Sequence, residues 1–128
     1  MSLTGESLDA SLTVSDLVRS VAWYVDVLGL EVDRRHEREG KLIAVSLKGG
    51  SIRLLLAQDD GAKGFDRVKG EGMSLQITTR QDVDAIAASI KAQGGVLDTE
   101  PTTFPWARAF RLRDPDGFRF TISSVPTR

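Results

Sequence analysis

The sequence predicts an α+β domain built from two successive modules, each a strand, a helix and three further strands. Three observations carry this. Residues 110–122 alternate apolar and polar on both sides of Asp114-Pro115-Asp116-Gly117. Pro115 presets φ for the second position of a turn, and Asp-Gly tolerates the positive φ a hairpin needs, so the stretch reads as two half-buried strands around a tight turn. The same unit recurs more weakly from Ile43 to Leu56 around Gly49-Gly50, about 66 residues earlier, as a duplicated module would place it. Ahead of each unit stands a stripe of apolar residues at helical spacing, closed by glycine.

Taken in order, 1–8 is a small, polar lead-in. Ala10, Leu12 and Val14 alternate with Ser11 and Thr13 and predict a strand. Ser15 and Asp16 offer N-cap oxygens to a helix whose stripe is Leu17, Val21, Tyr24, Val25 and Leu28, ending at Gly29. Trp23 lies off that stripe and suits either edge packing or a dimer contact. Strands follow at 30–36, 42–47 and 52–57. Residues 58–72 carry four glycines and many charges and read as a partly mobile connector. The order then repeats: a strand at 73–78, a helix opened by Gln81 and Asp82 with Val83, Ile86, Ala87 and Ile90 inward, Gly94-Gly95, and a strand at 96–100. A proline-flanked loop at 102–106 leads to strands at 107–112 and 118–123. The expected organisation is one domain over 1–128, with module one at about 9–57, a connector at 58–72 and module two at about 73–124. One helix per module is too little to cover a sheet, so the modules must pack or pair.

Composition narrows the chemistry. A formal net charge of −1 argues against a nucleic-acid binder held by bulk electrostatics. The absence of cysteine removes disulfides, thiolate metal sites and cysteine nucleophiles. The one histidine, His36, lies among charges near a strand end and reads as a solvated surface residue. With no long apolar run and no basic-then-apolar leader, neither a membrane span nor a secretory signal is expected, and the cytoplasm is the expected location.

Leu12-Thr13-Val14-Ser15-Asp16-Leu17, then Trp23-Tyr24-Val25-Asp26-Val27-Leu28-Gly29-Leu30, resembles the first module of the vicinal oxygen chelate superfamily. That group holds glyoxalase I, extradiol dioxygenases, fosfomycin resistance proteins and bleomycin resistance proteins. Asp114-Pro115-Asp116-Gly117 resembles its closing hairpin, and the resemblance covers nearly the whole chain. It implies paired βαβββ modules in a curved, half-barrel mixed sheet around a cavity, often completed by a dimer; a homodimer is expected here. It also implies positions for a divalent metal's ligands: Asp9, seven residues before the capping aspartate; Arg53, or Leu55 on the same face; Gly72 or Ser74; and Thr121, four residues after the turn glycine. Most of these are not metal donors, and Arg53 would put a fixed positive charge in the cation's place. No metal and no cofactor are therefore expected.

The reading that follows is a small-molecule-binding protein resembling the bleomycin-resistance branch. Its expected lining is Ser11, Thr13, Arg53, Gln76, Trp106 and Thr121, with no catalytic residue assigned. A guanidinium, hydroxyls and an aromatic ring suit a ligand with an anionic or carbonyl group and a flat, aromatic or apolar body. Arg53 faces either the cavity or bulk water, and Trp106 either floors a pocket or staples its loop. Two alternatives stand beside it. One is a metal-dependent lyase or dioxygenase of the glyoxalase type, with Glu6, Asp9 or Glu100 supplying ligands. The other is a non-catalytic structural or regulatory module. Arg111, Arg113 and Arg119 read as hairpin-surface charges paired with acids across strands.

Overall fold

The computed structural model describes residues 1–125. Eight strands and two helices follow the predicted order: β1 Ala10–Val14, α1 Leu17–Ala22, β2 Glu31–Arg38, β3 Lys41–Gly49, β4 Ile52–Gln58, β5 Leu75–Thr79, α2 Val83–Ala92, β6 Leu97–Thr103, β7 Arg108–Arg113 and β8 Arg119–Ser124. They form two four-stranded mixed sheets, ordered β1-β4-β3-β2 and β5-β8-β7-β6. In each, the first strand pairs in parallel with the last and the remaining pairs are antiparallel. The α+β class and the two-module design expected from the sequence are what the chain adopts.

Strand alternation decides which face is covered. Leu12 and Val14 of β1, Val45 and Leu47 of β3, and Leu54 and Leu56 of β4 are buried. So are Phe110 and Leu112 of β7 and Phe120 and Ile122 of β8. All belong to one hydrophobic cluster that also takes in Tyr24, Ile90 and Ala87. The modules thus share a core through their helix-bearing sides, and the rings of Tyr24 and Phe120 meet edge to face across it at 5.9 Å.

Several boundaries move for identifiable reasons. Asp16 caps α1, accepting from the Arg19 amide at 3.1 Å. The helix then widens into a π segment, Trp23–Val27, where the Leu28 amide reaches back to the Trp23 carbonyl. Widening turns the following residues relative to a 3.6-residue stripe. Trp23 becomes half-buried and meets Tyr24 edge-on at 4.9 Å, a contact within the chain that the regular spacing hid. β6 runs on to Thr103 through Pro101, where the sequence suggests a loop from Thr102. It is an edge strand whose register shifts between Thr99 and Thr102, which accommodates the missing N–H.

The connector is fixed at both ends. Gln58 is the last residue of β4; its side chain accepts from the Leu17 amide at 2.9 Å and donates to the Ser15 carbonyl at 2.8 Å, bracing the start of α1. Lys69 Nζ lies 2.8 Å from Asp59, with the two side chains 9% and 6% exposed.

The β2–β3 turn places Glu39 and Gly40 at φ of 53° and 75°. Glutamate has no side-chain reason to accept that conformation. Glu39→Gly is expected to stabilise the chain by about 0.5–1 kcal/mol, read as a higher urea midpoint at unchanged slope.

The Asp-Pro-Asp-Gly turn does more than reverse the chain. Asp114 Oδ1 accepts from the amides of Asp116 and Phe118 at 2.9 and 2.8 Å, and Oδ2 accepts from the Tyr24 hydroxyl at 2.7 Å. Asp116 accepts from the Ser15 amide at 3.1 Å and from its hydroxyl. Module two's turn therefore grips the start and middle of module one's helical segment. Burial, then the Asp114 charge, pushes the Tyr24 hydroxyl well above the usual phenol range, so it stays a donor. Burial pushes the Asp114 carboxyl up, opposed by its hydrogen bonds from Tyr24, Phe118 and Asp116.

Candidate functional site

The residues between the buried ones in each strand face the other way, and among the described residues no helix covers that side. On module one, Ser11 and Thr13 are exposed and stand in register with Leu55 and Ala57 of β4. Ala44 and Ser46 of β3 continue the face, with His36 of β2 opposite Ala44. His36 Nε2 lies 3.1 Å from Ser46 Oγ. The residue expected to be a solvated surface histidine is half-buried and hydrogen-bonded on this face. Strand alternation, carried from Arg34 to His36, was the signal available in the sequence.

On module two, Gln76 of β5 pairs with Thr121 of β8, and Thr78 with Ser123. Arg111 of β7 stands on Thr121's other side. Gln76 Nε2 donates to Ser74 Oγ at 3.2 Å. Trp106 lies in the tight loop between β6 and β7, closed by the Phe104 amide on the Ala107 carbonyl. Its ring stacks on Phe104 at 5.3 Å and 16°, and the residue is 60% exposed.

Arg53 occupies the open face of β4 opposite Lys48. Its guanidinium bends back to the hairpin, donating to the Gly50 and Ile52 carbonyls at 3.0 and 2.9 Å. Lys48 leans instead toward Asp33, at 3.7 Å. The predicted lining therefore falls into separate groups within one chain: Ser11 with Thr13, Gln76 with Thr121, Arg53 at a hairpin end and Trp106 on a loop. No hydrogen bond or ion pair among the described residues joins Arg53 to Thr121 or Gln76.

The positions implied for a metal do not suit one. Asp9 is an exposed carboxylate, but Arg53 or Leu55, Gly72 or Ser74, and Thr121 offer a guanidinium, a hydrocarbon, no side chain or a neutral hydroxyl. A divalent ion needs carboxylates or imidazoles in number. Among the described residues, no three His, Cys, Asp or Glu side chains converge.

Electrostatics elsewhere are local. Arg108 forks onto Asp84 at 2.7 and 2.8 Å, and that hydrogen bond holds the Asp84 carboxyl below its usual range. Arg113 likewise forks onto Asp98, at 3.0 and 3.1 Å, which is the cross-strand pairing expected of it. No helix among the described residues is long and apolar enough to cross a membrane.

Comparison with solved structures finds the same architecture over almost the full length. TnmS3, an antibiotic binding protein from Streptomyces sp. CB03234, is 22% identical with a TM-score of 0.76, covering 98% of this chain and 100% of that one. A superfamily member from Sphaerobacter thermophilus DSM 20745 is 23% identical with a TM-score of 0.76, covering 95% and 99%. TioX from Micromonospora sp. ML1 is 21% identical with a TM-score of 0.72, covering 92% and 98%. At these identities the likeness is one of fold. A comparison with functionally curated proteins gives no match. A sequence model of one superfamily matches residues 8–122, nearly all of both modules. The chain belongs to the Glyoxalase/Bleomycin resistance protein/Dioxygenase superfamily.

Proposed function

We propose that the protein binds a small organic molecule on these open sheet faces without making or breaking a bond, and that two copies pair to enclose it. One observation carries the reading. Each sheet sends its large apolar residues to the shared core and leaves its other face bare, set with hydroxyls and an amide at Ser11, Thr13, Gln76 and Thr121. A bare polar sheet face of this kind is a wall without a lid, and a second copy supplies one in a homodimer. The donor set disfavours metal chemistry there. The description of TnmS3 as an antibiotic binding protein supports the class of ligand.

In this reading Arg53 leaves its hairpin carbonyls to meet an anionic or carbonyl oxygen, which a guanidinium can take with two parallel hydrogen bonds. The Trp106–Phe104 stack offers a flat surface to the ligand's body. Purified protein examined by native mass spectrometry should be a dimer carrying co-purified small molecules. Against a ligand so identified, Arg53→Ala is expected to weaken binding about 10-fold, the scale of one charge-assisted hydrogen bond. The melting temperature should stay put, because the contacts Arg53 gives up are exposed. A clean monomer that carries nothing, and whose open-face amides do not respond to any member of a ligand library, would reject the reading.

A further inference from the structure

The connector, expected to be mobile in part, crosses the β7–β8 turn in contact with it. Gly70, at φ +75°, rests on Phe118: a Cβ there would fall 2.9 Å from the ring's Cδ1 and 3.1 Å from its Cα. The neighbouring Lys69 is anchored by the buried Asp59. Between this crossing segment and the hairpin lies a groove of about 370 Å³, at the small end of the range for ligand pockets.

The charges on its walls are unevenly spent. Arg113 and Arg119 line the groove from the strands that flank the turn, and they are register partners, directly opposite one another. Like charges in that position destabilise a sheet unless something offsets them. Asp98 engages Arg113, but Arg119 forms no ion pair or hydrogen bond with any described residue, and neither does Arg67 on the facing wall. The wall's acids do not fill the gap, since Asp116 is turned to Ser15 and only Glu71 remains; Asp59, already holding Lys69, meets Arg67 through charge alone, without an ion pair. Beside them Phe65 and Val68 are 69% and 76% exposed, although both lie on the pinned segment.

We infer that this groove is a second binding site, for a small organic anion whose carboxylate or phosphate group sits between Arg67 and Arg119 while its apolar ring covers Phe65 and Val68. The anion supplies the counter-charge that the Arg113–Arg119 pair lacks. The site goes beyond the open-face reading. Arg119 lies on the same face of β8 as Thr121, but the connector wall belongs to the same chain and needs no second copy.

The test uses the full chain with 1-naphthyl phosphate as probe, 1-naphthol as its neutral analogue, and amide chemical shifts as the readout. Saturable shifts are expected at residues 65–71 and 113–119, with affinity rising as salt is lowered from about 150 to about 20 mM. 1-Naphthol should bind about 10-fold more weakly or worse. Arg119→Glu should reduce probe affinity by about 10-fold or more. It should also leave the melting temperature unchanged or raise it by about 1–4 °C, because it turns an opposed like-charge pair into an attractive one. Arg67→Glu should weaken the probe similarly. The inference is overturned if no saturable shift occurs at millimolar probe, if naphthol binds equally well, or if Arg119→Glu leaves affinity intact. It is also overturned if shifts are confined to Ser11, Thr13, Gln76 and Thr121, an outcome that would leave the open-face reading standing. Loss of the open-face ligand by Arg53→Ala, conversely, says nothing against shifts at 65–71.

Discussion

Asp114→Ala is expected to cost about 3–5 kcal/mol of stability, a large fraction of what a domain of this size possesses. The carboxylate satisfies a buried hydroxyl and two turn amides at once, and alanine leaves all three donors to water that cannot easily reach them. Each buried donor so orphaned costs about 1–3 kcal/mol. The expected readout is a melting temperature lower by roughly 10–20 °C, together with loss of the edge-to-face contact between Tyr24 and Phe120. A shift of only a degree or two would mean that the turn is held by Pro115 and Gly117 alone.

The pH dependence of a gentler variant isolates the hydroxyl's share. Because burial raises the folded-state value of Asp114, this carboxyl favours the folded state most below its unfolded value. That contribution is lost as pH rises through the folded value. Above it the buried group is charged, and the Tyr24 hydrogen bond offsets part of that cost. Tyr24→Phe removes the offset. It should therefore destabilise more at pH 7 than at acidic pH, by about 1–3 kcal/mol at the neutral end. Asp59 and Asp84 act in the opposite direction. Their values are held down, chiefly by hydrogen bonds from Lys69 and Arg108, so their contributions are present at neutral pH and disappear as pH falls below about 4. Denaturant melts of both proteins across pH separate the two trends.

The second large effect is expected at Phe120. Its ring is fully buried where the two modules meet, in contact with Tyr24. Phe120→Ala should cost about 3–5 kcal/mol, the transfer of the ring plus the cavity left behind. Phe120→Leu, which keeps most of the volume, should cost less than about 1.5 kcal/mol. Since Asp114 and Phe120 both act through Tyr24, the double variant should be less destabilised than the sum of the single ones, with a coupling on the order of 1 kcal/mol. Strict additivity would mean that turn and core are independent. Thr121, the next residue along β8, faces the other way, and Thr121→Ser should leave stability within about 0.5 kcal/mol of the parent. That contrast between neighbours is the energetic signature of a sheet with one face in the core and one outside it.

Much of this architecture follows from local pattern. Leu12 and Val14 against Ser11 and Thr13, or Phe120 and Ile122 against Thr121, state which face of a strand is buried before any fold is known, because side chains alternate with a period of two. Asp16 and Asp82 announce helix starts through oxygens that satisfy nearby amides. The repeated order of elements comes from the same kind of information.

What only the tertiary structure decided depends on partners far apart in the chain. Asp114 reads as a turn residue in sequence. Its buried partner Tyr24 is 90 positions away, and only the meeting of two module faces brings them together. Trp23 joins the packed side because the helix widens as it settles on the sheets. Pro101 continues a strand because β6 is an edge. Asp59 and Lys69 look like ordinary connector charges until the crossing over the hairpin buries them. Arg53 turns to its own hairpin carbonyls, and the arginines at 67 and 119 line one groove, for the same reason. Periodicity fixes which way a residue points within its element, but what it points at is set by how the elements pack.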